Sequence, residues 1–357
     1  MDPFSKLRLW VDLATSRSRA GRTNPSHNVL RKAGSTPGET LAFLPRHTMF
    51  AQNISSSNCS VVYSANDVAV AKCLVGINIC TSILGALGNL LVCIAVFSTK
   101  GMTSSFHYFI SSLAAVDLVN ALVVQPLLIA LIFAHINSEC VPNGEDAICT
   151  GFRVVSNFAS AVSLLTLVLI ALDRCLIVSP HFDYKNAMTA RKKIVLAVVW
   201  LLAGVYSAIR LTIEKEITSY LTAAAFGLCY IEMIVCYAVV YHRISTQRKL
   251  LAGAWEQNKT QTESAEGRKL KTENIATERR FARTIVMVLV VFTCGWSLFF
   301  YLRLTQPEKN YGFMYNLART VAFSTSAINP ALYCFNNKEY RRAFKRILSS
   351  FLFGWRR

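Results

Sequence analysis

The stretch Ser324-Thr325-Ser326-Ala327-Ile328-Asn329-Pro330-Ala331-Leu332-Tyr333 closes the last long apolar run of the chain, residues 320–337, which holds no Asp, Glu, Lys or Arg. A proline inside a helix lacks a backbone donor and frees a carbonyl, and the Asn beside it adds an amide to be satisfied. In hydrocarbon such groups persist only where neighbouring helices or internal water pair with them. The Asn-Pro pair therefore predicts a helix packed in a membrane bundle and marks a working part of it.

Outward from that run, residues 73–99, 154–172, 194–209 and 284–302 are equally free of charge, and 102–138 and 217–242 carry one acid each, Asp117 and Glu232. Crossing about 30 Å of hydrocarbon takes roughly 20 residues of helix. Seven spans are predicted, near 71–98, 105–134, 147–179, 191–213, 218–247, 274–305 and 311–335. The shortest charge-free run, 194–209, reaches spanning length if the basic residues at its two ends snorkel. The fold class expected is an all-α membrane protein, a seven-transmembrane helix bundle. The expected division is a polar N-terminal region over 1–70, the bundle over 71–335 and a tail over 336–357.

The chain is 53% hydrophobic and only 16% charged, against about 25% charged in soluble domains, which excludes an ordinary soluble globule. Its net charge of +18 follows from the distribution of Lys and Arg: twenty-two in the loops 99–105, 175–193, 242–283 and 334–357, five in 134–153, 210–219 and 303–312. Basic residues near span ends are retained on the cytoplasmic side. The expected orientation is N-terminus extracellular and C-terminus cytoplasmic. The basic face then meets anionic lipid and acidic partners, and nucleic acid is not an expected partner.

Glycosylation acceptors at Asn53 and Asn58 fall in the outside segment and agree. The sequon at Asn258 falls inside and is read as chance. Residues 1–48 carry eight Lys and Arg and no signal-peptide core. Either this region is exported regardless or Met49 is the true start. Cys140 and Cys149 share an outside loop and can pair there. Two free thiols, or a pairing with Cys59, stay open because sequence does not fix connectivity. Beyond Tyr333, residues Tyr340, Phe344, Ile347, Leu348 and Phe351 recur at helical spacing opposite a basic face, the pattern of an interfacial amphipathic helix.

Ionisable residues within a span are costly and point to function. Asp117 lies at a depth comparable to Asn89, Ser163, Thr325, Ser326 and Asn329 on other spans, a set able to form a hydrated pocket for a small cation. A protonated Asp117 hydrogen-bonded in the bundle is the alternative. At the cytosolic ends of spans three and six, Asp173-Arg174 and Glu278 form a pattern for an ionic clasp between two helices, a switch rather than a catalytic site.

These motifs in this order resemble a rhodopsin-like (class A) G-protein-coupled receptor from Lys72 to about Phe353. The matches are Gly88-Asn89, Leu113 to Asp117 and Leu118, Cys149, Asp173-Arg174, Trp200, Tyr241, Phe292 with Trp296, and Asn329-Pro330 through Tyr333. The resemblance implies a receptor in the plasma membrane that binds an extracellular ligand and activates a heterotrimeric G protein. It implies a sodium ion held by Asp117, Ser163 and Asn329 as modulator, with no other cofactor. It also implies a ligand pocket of Arg153, Ser156, Asn157, Ser160, Trp296, Phe299, Phe300, Arg303 and Arg319, floored by Trp296. Coupling falls to Asp173, Arg174, Tyr241, Glu278, Asn329, Pro330 and Tyr333. The second outside loop has no Cys, so the family's disulfide from Cys149 to that loop cannot form, and Cys140 becomes its substitute.

Met233 and Leu298 stand where the family usually has kinking prolines, which moves the expected hinge of span six to Gly295. The short second loop and Met233 are similar to the branch of melanocortin, cannabinoid and lysophospholipid receptors. Ser156 replaces the Asp by which amine receptors hold an ammonium, and Phe323 replaces the retinal lysine of opsins. A monoamine receptor and an opsin are therefore not expected. An enzyme is not expected either, since no catalytic or metal-binding cluster is evident. Arg153, Arg210, Arg303 and Arg319 lie in the outer turns of four spans. They favour an anionic ligand, a small molecule, lipid or peptide. Snorkelling to headgroups, or pairing with Glu139, Glu145, Asp146, Glu214 and Glu216, is the alternative.

Overall fold

The computed structural model describes residues 65–136, 147–178, 184–213, 215–257, 265–305 and 313–353. Six helices among these are long and apolar enough to cross a membrane. They are built on α1 (Ala65–Ser98), α2 (Ser105–Val119) continuing into α3 (Gln125–Ile136), α4 (Ala147–Ile177), α5 (Tyr184–Thr212), α6 (Lys215–Gln257) and α7 (Ala265–Thr305). The seventh span is broken, as the Asn-Pro pair requires. Helix α8 (Phe313–Ser324) passes through a 3-10 turn, Thr325–Ala327, into α9 (Asn329–Asn336), with Pro330 in the first turn where no donor is needed. A short amphipathic helix, α10 (Lys338–Phe353), follows.

Spans four to six run past the limits that hydropathy sets. The 43 residues of α6 extend about 64 Å, roughly twice the hydrocarbon thickness. Apolar runs register only the lipid-immersed part, whereas a helix continues into water wherever its backbone bonds remain local. Span two holds a π-helical turn, Asn120–Val124, just before Pro126. The wider turn accommodates a residue whose missing donor breaks the regular ladder.

The bundle is inside out relative to a soluble domain. Leu84, Leu87, Phe97, Leu201, Leu228 and Ile234 are exposed, while Asn78, Asn89, Asp117, Asn120, Gln125 and Thr166 are buried. Span three lies at the centre, packed against spans two, four, five and six. Helix α10 packs on α1 and α9, burying Tyr340, Ala343 and Ile347 and exposing Arg341, Arg342, Lys345 and Arg346.

Gly295 has a different role from the expected hinge. Helix α7 runs unbroken through it, and a Cβ placed there would overlap the Thr325 Cγ2 of span seven. The missing side chain lets spans six and seven approach closely. Gly88 does the same in span one, where a Cβ would stand 2.8 Å from Pro330 Cγ.

In thermal unfolding of the solubilised protein, Gly295→Ala is expected to destabilise by about 1–3 kcal/mol through overpacking, with partial recovery in Gly295→Ala/Thr325→Ser. Gly227→Ala, where a Cβ meets nothing within 4 Å, is expected to stabilise by up to about 1 kcal/mol through helix propensity.

Candidate functional site

The half of the bundle remote from Arg174 and Tyr333 encloses a cavity of about 180 Å³ whose walls come from spans two to seven. All nine residues expected in the ligand pocket line it: Arg153, Ser156, Asn157, Ser160, Trp296, Phe299, Phe300, Arg303 and Arg319. Ser160 and Ser156 donate to carbonyls of their own helix, at 2.7 Å to Ser156 and 3.3 Å to Arg153, which leaves their lone pairs to the cavity. The Arg319 guanidinium lies 5.4 Å from the Phe152 ring and 5.8 Å from the Tyr315 ring, a cation–π arrangement that fixes it in the outer turn of span seven.

Arg210, the fourth of the arginines marked in the sequence, also lines the cavity, and the structure adds residues that the sequence reading did not place there, among them Tyr206, Thr222, Phe226 and Leu131. In spans four and five nearly every position is apolar, so periodicity carries little information on which face turns inward. Arg210 donates to Thr222 Oγ1 at 3.3 Å, and Thr222 is also hydrogen-bonded to the Tyr206 hydroxyl at 3.0 Å.

Beneath this cavity, a second space of about 20 Å³ is lined by Asp117, Asn120, Ser160, Ser163, Trp296, Thr325, Ser326 and Asn329. That is room for about one water or a monatomic ion. Asn329 donates its amide to Asp117 Oδ2 at 2.8 Å across spans seven and two. Asn120 Oδ1 is buried with no hydrogen-bond partner. A carboxylate, a hydroxyl and an orphaned amide oxygen form an all-oxygen donor set, suited to a hard cation. Asn89, expected at this depth, instead ties span one to span seven by donating to Gly85 O at 3.0 Å and Ser326 O at 3.2 Å.

Trp296 lines both spaces. Its ring packs with centroids 5.6–6.4 Å from Phe226, Phe292, Phe299, Phe300 and Phe323. A shift of this side chain therefore alters the floor of one cavity and the roof of the other.

At the inner end, Asp173 and Arg174 are buried and paired, with Arg174 Nε donating to the Asp173 carboxylate at 3.0 Å. Ser105 Oγ of span two donates to the same carboxylate at 2.6 Å. The Arg174 guanidinium also lies 5.0 Å from the Phe106 ring and 5.6 Å from the Phe281 ring of span six. Phe281 is thus one contact of Arg174 to span six, and the Glu278 side chain lies outside the described residues. Tyr241 stands apart from this cluster, 79% exposed on span five. Tyr237, four residues earlier and about 40° round the helix, is the span-five tyrosine whose hydroxyl is buried.

Tyr333 is buried against Tyr340 of α10, ring centroids 5.8 Å apart. Tyr340 in turn meets a buried histidine that the sequence reading passed over. His107 Nδ1 is 3.1 Å from the Tyr340 hydroxyl, and Nε2 is 3.3 Å from Glu339 Oε2. Both contacts are satisfied when Tyr340 donates to Nδ1 and Nε2–H donates to the carboxylate. Cys149 is buried in α4. Cys140, Asn53 and Asn58 lie outside the described residues.

The family 7 transmembrane receptor (rhodopsin family) matches residues 88–216 and 210–333. The chain belongs to that family. It is 27% identical over 327 residues to neuropeptide FF receptor 1 of Rattus norvegicus, covering 79% of this chain and 72% of the relative. It is 28% identical over 288 residues to melanocortin receptor 3 of Mus musculus, with coverages of 74% and 82%. Similarity to 5-hydroxytryptamine receptor 1D of Canis lupus familiaris is 24% over 330 residues, with coverages of 74% and 85%. Family membership makes the chain a membrane-spanning receptor rather than an enzyme. Relatives named for such different ligands do not select one.

The His107 hydrogen bond holds the Glu339 carboxyl below its ordinary value. The stabilisation this contact gives to α10 is therefore complete above the usual Glu range near about 4.3 and is lost as pH falls through the lowered value. A spin label at Ser350 is expected to gain mobility over that acid window, with Glu339→Gln removing the step.

Proposed function

We propose that the chain is a plasma-membrane receptor that binds an extracellular, anionic ligand in its outer cavity and promotes nucleotide exchange on a cytosolic heterotrimeric G protein. The observation that carries this reading is the double position of Trp296, which links the ligand-sized space above to the polar site below. A ligand that moves Trp296 changes the packing around Asp117 and Asn329, and through Asn329-Pro330 the setting of Tyr333. Release of Arg174 from Asp173 and from the Phe106 and Phe281 rings then opens the inner face. The excess of basic residues in alternate loops supports a cytosolic placement of that face. The same reading has residues 1–70 extracellular with Asn53 and Asn58 glycosylated, and Cys140 paired with Cys149.

Asp117, Ser163 and Asn329, joined by Asn120, would hold a sodium ion. When bound, the ion supplies a positive charge that neutralises Asp117 and favours the closed arrangement. Ser156, in place of an acid on the cavity wall, gives an ammonium ligand no counter-charge there and disfavours a monoamine. Phe323 offers no amine for retinal.

The test is nucleotide exchange by the purified receptor in lipid nanodiscs with a panel of heterotrimers. Basal or ligand-stimulated exchange is expected on at least one, reduced tenfold or more by Arg174→Ala. Sodium is expected to lower wild-type exchange and to leave Asp117→Asn unaffected. Absence of exchange on every heterotrimer would refute the reading.

A further inference from the structure

Resting on the outer cavity as ligand site, we infer that its occupant is a small amphiphilic organic anion, a carboxylate or phosphate on a compact apolar body. Its charged end sits against Arg210, Arg303 and Arg153, and its body lies on the aromatic floor at Trp296.

Arg210 anchors the argument. It projects from the outer turn of span four into the cavity wall, and its Nε–H is buried with no hydrogen-bond partner. A buried donor left unpaired is unfavourable, and an oxyanion within reach relieves it. The rest of the guanidinium is held in place, since Nη1 donates to Thr222 Oγ1 at 3.3 Å and the Tyr206 hydroxyl braces that threonine at 3.0 Å. This is a preorganised donor rather than a side chain searching for water.

The charges around it have the same sign. Arg153 of span three and Arg303 of span six line the same space and lie within electrostatic reach of Arg210. Arg319 of span seven completes the ring, and no Asp or Glu lines the cavity among the described residues. Convergent guanidiniums in a low-dielectric wall favour a carboxylate or phosphate, which can bridge two of them at once.

The lower part of the cavity sets the other end of the ligand. Phe226, Trp296, Phe299 and Phe300 form a continuous aromatic floor, and the two hydroxyls nearest it on span three donate to their own helix. An apolar or aromatic group gains most there. At about 180 Å³ the space is tight beside drug-sized pockets of about 300–1,000 Å³, which selects a compact body over a long acyl chain or a folded peptide.

The experiment measures thermal unfolding of the full-length receptor in nanodiscs, a readout that needs no G protein. The probes are 4-phenylbutyrate and phenyl phosphate, the isosteric 4-phenylbutylamine and 4-phenylbutanol, and palmitate. Saturable stabilisation by at least one aryl anion is expected, with none from the amine or alcohol. The midpoint concentration should rise about tenfold or more in Arg210→Gln, as expected for loss of a charged donor. Should Arg210→Gln not fold, Arg303→Gln provides the same comparison. Stabilisation by the amine or alcohol that is lost in Phe300→Ala would overturn the anion while leaving the cavity as ligand site. Stabilisation by palmitate alone would overturn the compact body and point to a membrane-derived anion. No stabilisation by any probe would overturn the inference, and an anion effect unchanged by both arginine variants and by Phe300→Ala would remove the cavity reading as well.

Discussion

Polar groups carried into hydrocarbon must be satisfied within the protein, and the rest of this structure follows from how that requirement is met. The Asn329 amide on the Asp117 carboxylate, 2.8 Å across two spans, is the central case. An acid in mid-membrane is tolerable because an amide from a broken helix reaches it. The break is tolerable because the 3-10 turn at Thr325–Ala327 re-forms local bonds before Pro330 starts a new helix. Asn89 closes the arrangement by holding span one to the carbonyl of Ser326. These bonds are few and side-chain based, so they can be exchanged for others at modest cost, as a switch requires.

A second consequence is the division of the interior by an aromatic layer. Trp296 and the phenylalanines around it are large enough to separate the outer cavity from the polar site, yet ring contacts of this kind permit rotation more readily than a hydrogen-bonded lattice would. The polar site below gains from the layer's low dielectric, because Asp117 and its partners interact more strongly where water is excluded. Close packing at Gly295 and Gly88 holds spans six and one against span seven, at Thr325 and Pro330 respectively.

At the end of the bundle that holds Arg174 and Tyr333, the arrangement is held by rings as much as by charges. Arg174 is kept by Asp173 and flanked by Phe106 and Phe281, and Tyr333 by Tyr340, which His107 secures. The ion pair lies within one helix. Among the described residues, Phe281 is the side chain of span six that packs against the guanidinium. Separation of spans three and six then requires Phe281 to leave the guanidinium face.

Most of the fold was legible in the chain. Lipid demands long runs with few charges, and five charge-free runs and two with a single acid are present, so span number followed from composition and the special character of Asn329-Pro330 from one dipeptide. The depth of Asp117 and its polar partners followed from counting along the spans. Three features were not legible. Hydropathy gives no signal for helix that continues into water, so α6 and α7 ran longer than their apolar cores. Gly295 read as a hinge because its neighbour Thr325 is close only in space. His107 was passed over because Glu339 and Tyr340 lie more than two hundred positions away. Sequence by itself determined which segments enter lipid and which polar residues they carry there, since transfer into hydrocarbon acts on each segment independently. Tertiary structure alone decided which of those residues meet. Rotation about a nearly uniformly apolar helix costs little in lipid, and only packing turned Arg210 inward and Tyr241 outward.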